Sequence, residues 1–540
     1  MRAEPAGRES GVSSPLAPPE VWAGVECSVV RVGDSYRDAI RRVGHDQRRG
    51  DVARIASLGV RSVRFPLLWE RTAPDSLERA DWGWADEQLH ALREQGIRPI
   101  VGLLHHGSGP RGTSLLDPEL PTKLAAFAAA VARRYPWVLD FTPINEPLTT
   151  ARFSALYGLW YPHARSAPEL CRALVTQCLA VQRAMEAIRE HTPQARLVQT
   201  EDYARIGSTP GLAYQAAFEN ERRWLSLDLL CGFVDEHHVM YPHLRENGVG
   251  EDELARLRAR PCVPDVIGVN YYVTSERWLD ERIHLYPPSR VGGNGRHAYV
   301  DVEAVRACPE PIWGHEGALA AVWERYGRPL ALTEVHLGCT REEQLRWWDE
   351  AWRAAVESRR RGIDVRAVTT WAVFGSHDWD SLLVGDLGTY EPGAFDVRDG
   401  APKPTALARA VAACAREGAF DHPVLDAVGW WRRPARFGLG GPKTTPPASP
   451  LTARFVLIQG APHPLARALE DACARRGIAF RHSAAPLPDG KRPWATIDVA
   501  AHASASDTGS LHEGASAILD ELVDGWPFAE DAVDAMRRAG

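Results

Sequence analysis

The sequence lacks any long apolar run, and no window approaches the roughly 18 apolar residues that a membrane-spanning helix needs. Its first twenty residues, MRAEPAGRESGVSSPLAPPE, also lack the apolar stretch of a secretory signal. We therefore expect a soluble protein that does not contact a membrane, with a short disordered segment at residues 1–19.

Paired cysteines and an excess of basic charge are also missing. The nine cysteines are scattered, odd in number and without a C-x-x-C motif, which argues against a disulfide framework or a thiol metal site. The net charge of −7 gives no basic surface for nucleic acid. We expect a cytoplasmic protein that uses no metal and no cofactor, and whose partner is a small neutral or weakly charged molecule.

Tryptophan is the residue type that is present in excess. The chain has 19 tryptophans, which indicates either a large aromatic core or faces on which sugar rings stack.

Short apolar runs that end in polar or aromatic residues recur from about residue 20 to residue 416. Each is followed by a turn and by a segment with apolar residues at helical spacing. Eight strand-then-helix units predict an α/β fold of the (β/α)8 or TIM barrel type with long loops. An open, doubly wound sheet is the alternative, but eight units favour closure. The predicted strands lie at 22–28, 61–69, 98–106, 138–147, 195–203, 265–273, 329–337 and 365–374.

The composition changes after residue 416, where the predicted barrel domain (20–416) ends. Residues 417–452 include RRPARFGLGGPKTTPPASP, which is rich in Pro, Gly and Thr and is typical of a linker. From residue 453 the pattern of strand, glycine turn and helix begins again in ARFVLIQGAPHPLARALEDACARRGIAF. The sequence predicts a small Rossmann-like unit at 453–540.

Two glutamates stand at the ends of the fourth and seventh predicted strands, Glu146 in TPINEP and Glu334 in LTEVHLG. The carboxyl ends of parallel barrel strands meet at one mouth, and two carboxylates at roughly 5 Å across it are what a retaining glycosidase uses. Pro147 ends the fourth strand there and keeps Glu146 at the rim. A network of rim salt bridges is the alternative.

The same reasoning separates the two roles. Arg64, at the end of the second strand, would hold Glu334 ionised if it lies beside it, which makes Glu334 the nucleophile and Glu146 the general acid and then base. Asn145 is placed to bind the 2-hydroxyl of a sugar. The neighbours His105 and His106 point to opposite faces of a strand, so we do not expect them to form a metal pair.

Residues 20–416 resemble a glycoside hydrolase of family 1. TPINEP is similar to the acid/base motif T-x-N-E-P and LTEVHLG to the nucleophile motif I-T-E-N-G. SVRFPLLWERTAP, GIRPIVGLLHHGSGP and DVIGVNYYV are similar to three further motifs of that family, in the same order. The resemblance implies a retaining β-glycosidase. It also implies a sugar subsite that is lined by Arg64, His105, Asn145, Asn270, Tyr272 and Trp371.

The chain departs from that family at residues that recognise the sugar. The strand-one glutamine of the family falls on Arg31, with Glu26 nearby as an extra charge, and a tryptophan is replaced by His106. The E-W pair after strand eight appears as Asp378 and Trp379. Arg31, His106, Asp378 and Trp379 are therefore further candidates for substrate binding. Arg31, if it faces the pocket, would suit an acidic or otherwise modified sugar.

The C-terminal unit resembles the N-terminal part of a dTDP-4-dehydrorhamnose reductase, a sugar-nucleotide-binding protein. A G-x-x-G-x-x-G turn would need glycines where this chain has Gly460, His463 and Ala466. No tyrosine follows Tyr390, so the Tyr-x-x-x-Lys pair of that family cannot form. We expect a truncated unit with a structural or docking role.

Three functions remain to be compared. Hydrolysis of an O-glycosyl bond is favoured because both carboxylates are present. A carbohydrate-binding or scaffold protein that has lost turnover is the second hypothesis, and a sugar-nucleotide protein acting through the C-terminal unit is the third.

Overall fold

The computed structural model describes residues 17–437, 454–485, 493–503 and 510–527. Most of the segment predicted to be disordered, residues 1–16, and residues 438–452 of the predicted linker lie outside these ranges, as does residue 453 of the predicted C-terminal unit. Within them, no helix is both long and apolar enough to cross a membrane.

Eight parallel strands close into a barrel; seven predicted apolar runs contain one strand each, and the first run, 22–28, overlaps the end of a strand that begins two residues earlier, at Glu20. Neighbours in the sheet are neighbours in the chain, and the first strand pairs with both the second and the eighth. The prediction of a (β/α)8 barrel is therefore confirmed, and the open-sheet alternative is wrong. The strands are β1 (Glu20–Gly24), β2 (Ser62–Pro66), β3 (Arg98–His105), β4 (Asp140–Asn145), β5 (Arg196–Asp202), β6 (Val266–Asn270), β7 (Leu330–Val335) and β8 (Val365–Thr370).

One helix follows each strand and covers the barrel from outside. The longest begins at Ser166, whose hydroxyl accepts a hydrogen bond from the Glu169 amide, and another ends at Gly327 with a left-handed φ of 57°. Such caps satisfy backbone groups that a helix end leaves without partners. These helices are α1 (Asp51–Ser57), α2 (Gly83–Glu94), α3 (Leu120–Arg134), α4 (Ala167–His191), α5 (Glu251–Ala259), α6 (Gly314–Tyr326), α7 (Arg341–Arg360) and α8 (Ala406–Glu417).

Shorter elements fill the long loops between strands and helices. The additional helices are Ala39–Arg42, Trp69–Thr72, Pro147–Ala151, Ala213–Arg222, Leu225–Leu230, Tyr241–Glu246 and Ala304–Ala307, with a π-helical turn at Arg152–Leu156. A hairpin pairs Val29–Val32 with Ser35–Asp38, and a four-stranded sheet combines Ile206–Ser208, Arg277–Asp280, Gly292–Gly293 and Ala298–Glu303. Two further pairs join Ser376–His377 with Tyr390–Glu391 and Phe395–Asp396 with Lys403–Pro404.

The barrel interior is a packed core rather than a pore. Trp22, Ile100, Val198, Ala331 and Ala367, from five different strands, form one buried cluster inside it. Inward side chains of alternate strands stack in layers in such barrels. Polar side chains therefore gather above these layers, at the ends of the strands.

The chain beyond α8 packs against the barrel as far as the described part of the predicted linker extends. Trp431 is buried in the main core and donates from its indole nitrogen to Glu350 at 2.7 Å. Arg436 donates to the carbonyl oxygens of Val305 and Cys308 at 2.7 and 3.0 Å. Residues 417–437 thus belong to the packed barrel rather than to a free connection.

A small α/β unit follows, with a hydrophobic core of its own. Its strands β9 (Val456–Gln459), β10 (Phe480–Ser483) and β11 (Ala495–Asp498) form a parallel sheet with β9 in the centre. The helices of this unit are α9 (Pro464–Arg476), α10 (Val499–Ala503) and α11 (Leu511–Asp524).

Candidate active site

Glu146 follows the last residue of β4 in a strained backbone conformation. Its φ of 44° and ψ of 67° are left-handed, which is costly for a residue with a side chain and is concentrated at functional sites. Pro147 begins a short helix directly after it, and Glu201 of β5 accepts from the amides of Leu148 and Thr149 at 2.8 and 3.2 Å. The start of this helix is therefore fixed, and with it the direction of the Glu146 side chain.

Glu334 lies in β7, opposite Asn270 of β6 in the strand register. Its carboxylate accepts a hydrogen bond from Arg64 Nη1 at 2.6 Å and another from the hydroxyl of Tyr272. Glu334 is 3% exposed and Glu146 is 4% exposed. Both carboxyl groups line one cavity of about 640 Å³ at the mouth of the barrel.

Arg64 connects three walls of the site. Beyond Glu334, its guanidinium donates to the Thr333 carbonyl at 3.0 Å and to Asn145 Oδ1 at 2.6 Å. It also lies over the ring of Trp371, 4.4 Å from the ring centroid. A positively charged group that donates to Glu334 from one nitrogen and to Asn145 from the other orients the nucleophile candidate and favours its ionised form.

Asn270 orients the other carboxyl group. Its Nδ2 donates to Glu146 Oε1 at 2.5 Å, while its Oδ1 accepts from the Thr333 hydroxyl at 2.6 Å. Because Thr333 fixes which end of the amide is the acceptor, the donor end is aimed at Glu146.

The surroundings of the two glutamates shift their pKa values unequally. Burial, then the charges of Glu334, Asp202 and Glu201, raise the pKa of Glu146 well above 4.5. Burial also raises the pKa of Glu334, but Arg64 and the Tyr272 hydroxyl oppose that rise. Glu146 is therefore the carboxyl group that retains a proton more readily, and Glu334 the one that ionises.

His105 and His106 belong to the same wall but have different environments. His105 stacks on Trp371 with ring centroids 5.3 Å apart, and its Nε2 is 3.3 Å from Asn145 Nδ2. His106 has a left-handed φ of 57°, and its Nδ1 is 3.0 Å from the Thr150 hydroxyl. Burial first, and then the positive charge of Arg64, lowers the pKa of His106 to about 3, and burial lowers that of His105 well below 6.5. Both imidazoles are neutral at neutral pH.

The remaining sequence candidates divide into two groups. Trp371, Trp379 and Tyr272 line the cavity together with His106. Asp378 is buried beside it, where it forms a 3.0 Å ion pair with Arg42 and accepts from the Thr389 amide at 2.9 Å. Asp378 thus supports the loop that carries Trp379 rather than lining the cavity.

Arg31 is directed away from the cavity. It lies in the first strand of the hairpin that follows β1, pairs with Asp34 at 3.2 Å and stacks over Tyr161 at 4.0 Å. The residue that reaches the cavity from this segment is Glu26. Counting positions along the chain places Arg31 at the site, but the hairpin rotates its side chain outwards.

Several cavity residues were not candidates from the sequence. His336 and Glu391 face each other at 3.2 Å, and Arg152 and Asp202 line the outer part of the cavity. Glu26 and Asp202 each stand within two residues of the carboxyl end of a barrel strand, so that position in the pattern could have identified them. Arg152 and Glu391 come from loops, where no periodic pattern marks them.

A group of three or more His, Cys, Asp or Glu side chains that could hold a metal ion is not found among the described residues. The cavity is lined by carboxyl groups, imidazoles, hydroxyls, aromatic rings and guanidinium groups.

Known proteins are similar to this chain in sequence over much of its length. The family model of glycosyl hydrolase family 1 matches residues 34–381. The chain is 22% identical over 417 residues to a coniferin β-glucosidase of Pinus contorta, which covers 67% of this chain and 80% of that protein. It is also 22% identical over 392 residues to β-glucosidase 17 of Arabidopsis thaliana, covering 61% and 73%.

Solved structures share the fold at still lower identity. A family 1 β-glucosidase from Thermotoga maritima superposes with a TM-score of 0.60 at 16% identity, covering 76% of this chain and all of that one. The β-glucosidase of Thermotoga maritima in complex with deoxynojirimycin gives a TM-score of 0.59, also at 16% identity, with 74% and 98% covered.

Proposed function

Since the chain belongs to glycosyl hydrolase family 1 and is a glycoside hydrolase, we propose that it cleaves small β-glycosides with retention, with Glu334 as nucleophile and Glu146 as acid and base. The observation that carries this proposal is the unequal environment of two buried carboxyl groups in one cavity. Glu334 accepts from Arg64 and Tyr272, whereas Glu146 is surrounded by other acidic side chains.

In the first step, protonated Glu146 donates its proton to the glycosidic oxygen while Glu334 attacks the anomeric carbon. The aglycone leaves as an alcohol, and the sugar is attached to Glu334 through an ester bond. In the second step, ionised Glu146 takes a proton from a water molecule, which attacks the anomeric carbon and releases Glu334. Each role follows from the protonation state that the surroundings favour.

The hydrogen bonds around the pair support this sequence of steps. Asn270 holds Glu146 Oε1, which leaves Oε2 free to carry the transferred proton. Asn145 is held by Arg64 and by the Thr200 hydroxyl through Oδ1, so its amide nitrogen is directed at the histidines and at bound sugar hydroxyls. Trp371 and Trp379 offer flat apolar faces for the ring.

A mechanism-based label tests the proposal. A 2-deoxy-2-fluoro β-glycoside with a good leaving group should add one fluoroglycosyl group to the wild-type protein, measured as intact mass, and a peptide digest should locate it on Glu334. Glu334→Gln should acquire no adduct. An adduct on another residue, or none across a panel of sugars, would leave a carbohydrate-binding protein without turnover as the better reading.

We also propose that the C-terminal unit derives from a dTDP-4-dehydrorhamnose reductase and serves as a docking element. The parallel order of β9, β10 and β11 supports the first part. The ion pairs that join the unit to the barrel support the second. A cytoplasmic location is likewise proposed, supported by nine cysteines that are all free thiols.

A further inference from the structure

Glu26 is a further carboxylate in the cavity, beside the two glutamates of the double displacement, and nothing in that mechanism uses it. It lies two residues beyond Gly24, the last residue of β1, and is 2% exposed. Its Oε1 accepts from the amide and the hydroxyl of Ser28 at 2.9 and 2.6 Å, and its Oε2 accepts from Trp371 Nε1 at 3.2 Å. One acceptor position of Oε2 therefore remains for a ligand.

The charge of Glu26 is not balanced by the protein. No Arg, Lys or His nitrogen in the described ranges lies within 4.0 Å of its carboxylate. The guanidinium of Arg64 is committed to Glu334 and Asn145, and the imidazoles of His105 and His106 are neutral. Arg152, Arg277 and Arg290 also line the cavity, but no ion pair within 4.0 Å joins any of them to Glu26 among the described residues, and Arg277 pairs with Asp301 and Glu303. A buried carboxylate without an ion-pair partner is unfavourable until a cation compensates its charge.

The position of Glu26 is also rigid. Its partner Trp371 contacts the Arg64 guanidinium, 4.4 Å from the ring centroid, and stacks on the His105 ring at 5.3 Å. On the β1 side, a Cβ atom at Gly24 would come within 2.4 Å of the Trp371 ring, so glycine allows that ring to pack there. Glu26 Oε2 is therefore presented to the cavity in one orientation, as a preorganised binding group requires.

We propose that Glu26 binds the glycone and that this glycone carries an ammonium group, so that the substrates are β-glycosides of amino sugars. This inference rests on the proposed function and names its substrate class. A sugar hydroxyl could also donate to Oε2, but only a cation would also compensate the charge of Glu26. An acidic sugar would instead place a further carboxylate beside Glu26 and Glu334.

Aryl β-glycosides that differ in one substituent test the inference in the wild-type enzyme. The panel comprises glucoside and galactoside, the glucosides with an amine in place of the 2-, 3-, 4- or 6-hydroxyl, the N-acetylated forms of those amines, and the glucuronide. One amino sugar should exceed its parent glucoside in kcat/KM by about ten- to a hundred-fold, the range of a hydrogen bond to a charged group. Its N-acetylated form should lose the advantage, because acetylation removes the charge.

The variant Glu26→Gln tests whether the Glu26 carboxylate causes the preference for the amino sugar. The variant should lose about ten- to a hundred-fold more kcat/KM on the amino sugar than on the parent. Glu70→Gln is the matched control. Glu70 is a buried glutamate that lies outside the cavity and accepts from the Gly109 amide. Burial raises its pKa to about 8, so its carboxyl group is mostly protonated at pH 7 and glutamine changes its charge little. The Glu70→Gln variant should retain the wild-type preference for the amino sugar.

If Glu26→Gln fails to fold, Ser28→Ala replaces it. This variant removes one hydrogen-bond donor to the Glu26 carboxylate and should strengthen the preference for the amino sugar.

The outcomes separate the two proposals. If the parent glucoside is hydrolysed and labels Glu334 but no amino sugar is preferred, or if Glu26→Gln keeps the preference, the amino-sugar inference fails and the proposed function stands. A preference for the glucuronide would overturn the inference as well. If no glycoside is turned over and no label is acquired, both fail.

Discussion

Two buried clusters of charge in this protein use the same residue types in different proportions. At the barrel mouth, Glu26, Glu146 and Glu334 line one cavity, and Arg64 pairs with Glu334 at 2.6 Å, whereas Glu26 has no arginine or lysine partner within 4.0 Å among the described residues. Where the C-terminal unit docks on α7, three guanidinium groups face three carboxylates: Arg476 pairs with Glu342 at 2.5 Å and with Asp520 at 2.7 Å, and Arg346 and Arg433 pair with Glu343 at 2.9 and 2.5 Å. The first cluster has an excess of acid, and the second does not.

The pKa values follow that difference. Glu342 is fully buried, and although burial raises its pKa, Arg476 and Arg346 outweigh this and lower it below 4.5. Glu146 is similarly buried, but there the neighbouring charges act in the same direction as burial and raise its pKa. Burial alone therefore does not mark a functional carboxylate. A buried carboxylate whose charge is not compensated by neighbouring basic side chains does indicate function. The protein keeps such a group at a cost in stability, which chemistry or a bound ligand explains.

Among substitutions at the barrel mouth, replacement of Glu146, the proposed proton donor, should have the largest effect on kcat. Glu146→Gln should lower kcat on glycosides with alkyl leaving groups by about 10²- to 10⁴-fold, the contribution of general acid catalysis. Glycosides with an activated aryl leaving group need little protonation and should be affected much less in the first step. Steady-state and pre-steady-state rates on the two substrate types measure this, and equal losses on both would contradict the role of Glu146 as acid.

Breaking the balanced cluster should affect stability rather than chemistry. Glu342→Gln leaves Arg476 buried without its main partner, which costs about 3–5 kcal/mol in the free energy of unfolding. Urea titration at neutral pH measures the loss. Because the folded pKa of Glu342 is lowered, its contribution is present above pH 4.5 and disappears as the pH falls through the folded value. A loss that persists unchanged in acid would indicate packing instead of charge.

Glu146→Gln, the corresponding variant at the barrel mouth, should change stability in the opposite direction in the same urea titration. The folded pKa of Glu146 is raised, so wild-type stability falls as the pH rises from 4.5 towards the folded value. Glu146→Gln removes that decline, and it should be more stable than wild type at neutral pH.

Replacement of Asp202, an acidic neighbour of Glu146, should give the smallest effect, a shift in the pH dependence of kcat/KM. Asp202→Asn removes one of the charges that raise the pKa of Glu146, so the basic limb of kcat/KM should move to lower pH. The acidic limb, which reports Glu334, should move less. A pH–rate profile on an alkyl glycoside checks this, with Glu70→Gln as a control that should leave both limbs in place. A basic limb that stays fixed in Asp202→Asn would contradict the electrostatic account.

Eight strands and the two central glutamates could be predicted from the sequence because they depend on local patterns. Each apolar run is a property of consecutive residues, and parallel pairing in a closed barrel brings the end of every strand to one mouth. The places of Glu146, Glu334 and Arg64 follow from this rule without further information.

The direction of individual side chains in the loops depends on the tertiary structure. Arg31 and Glu26 are five positions apart after the same strand, yet a hairpin directs Arg31 towards Tyr161 while Glu26 reaches the cavity. Asp378 is turned away by its pairing with Arg42, which is distant in the chain. The balance of charge around Glu146 and Glu342 is likewise set by side chains from several strands and helices. Periodicity in the sequence records which face of an element is buried, whereas the charges that meet on that face are fixed only when the chain closes.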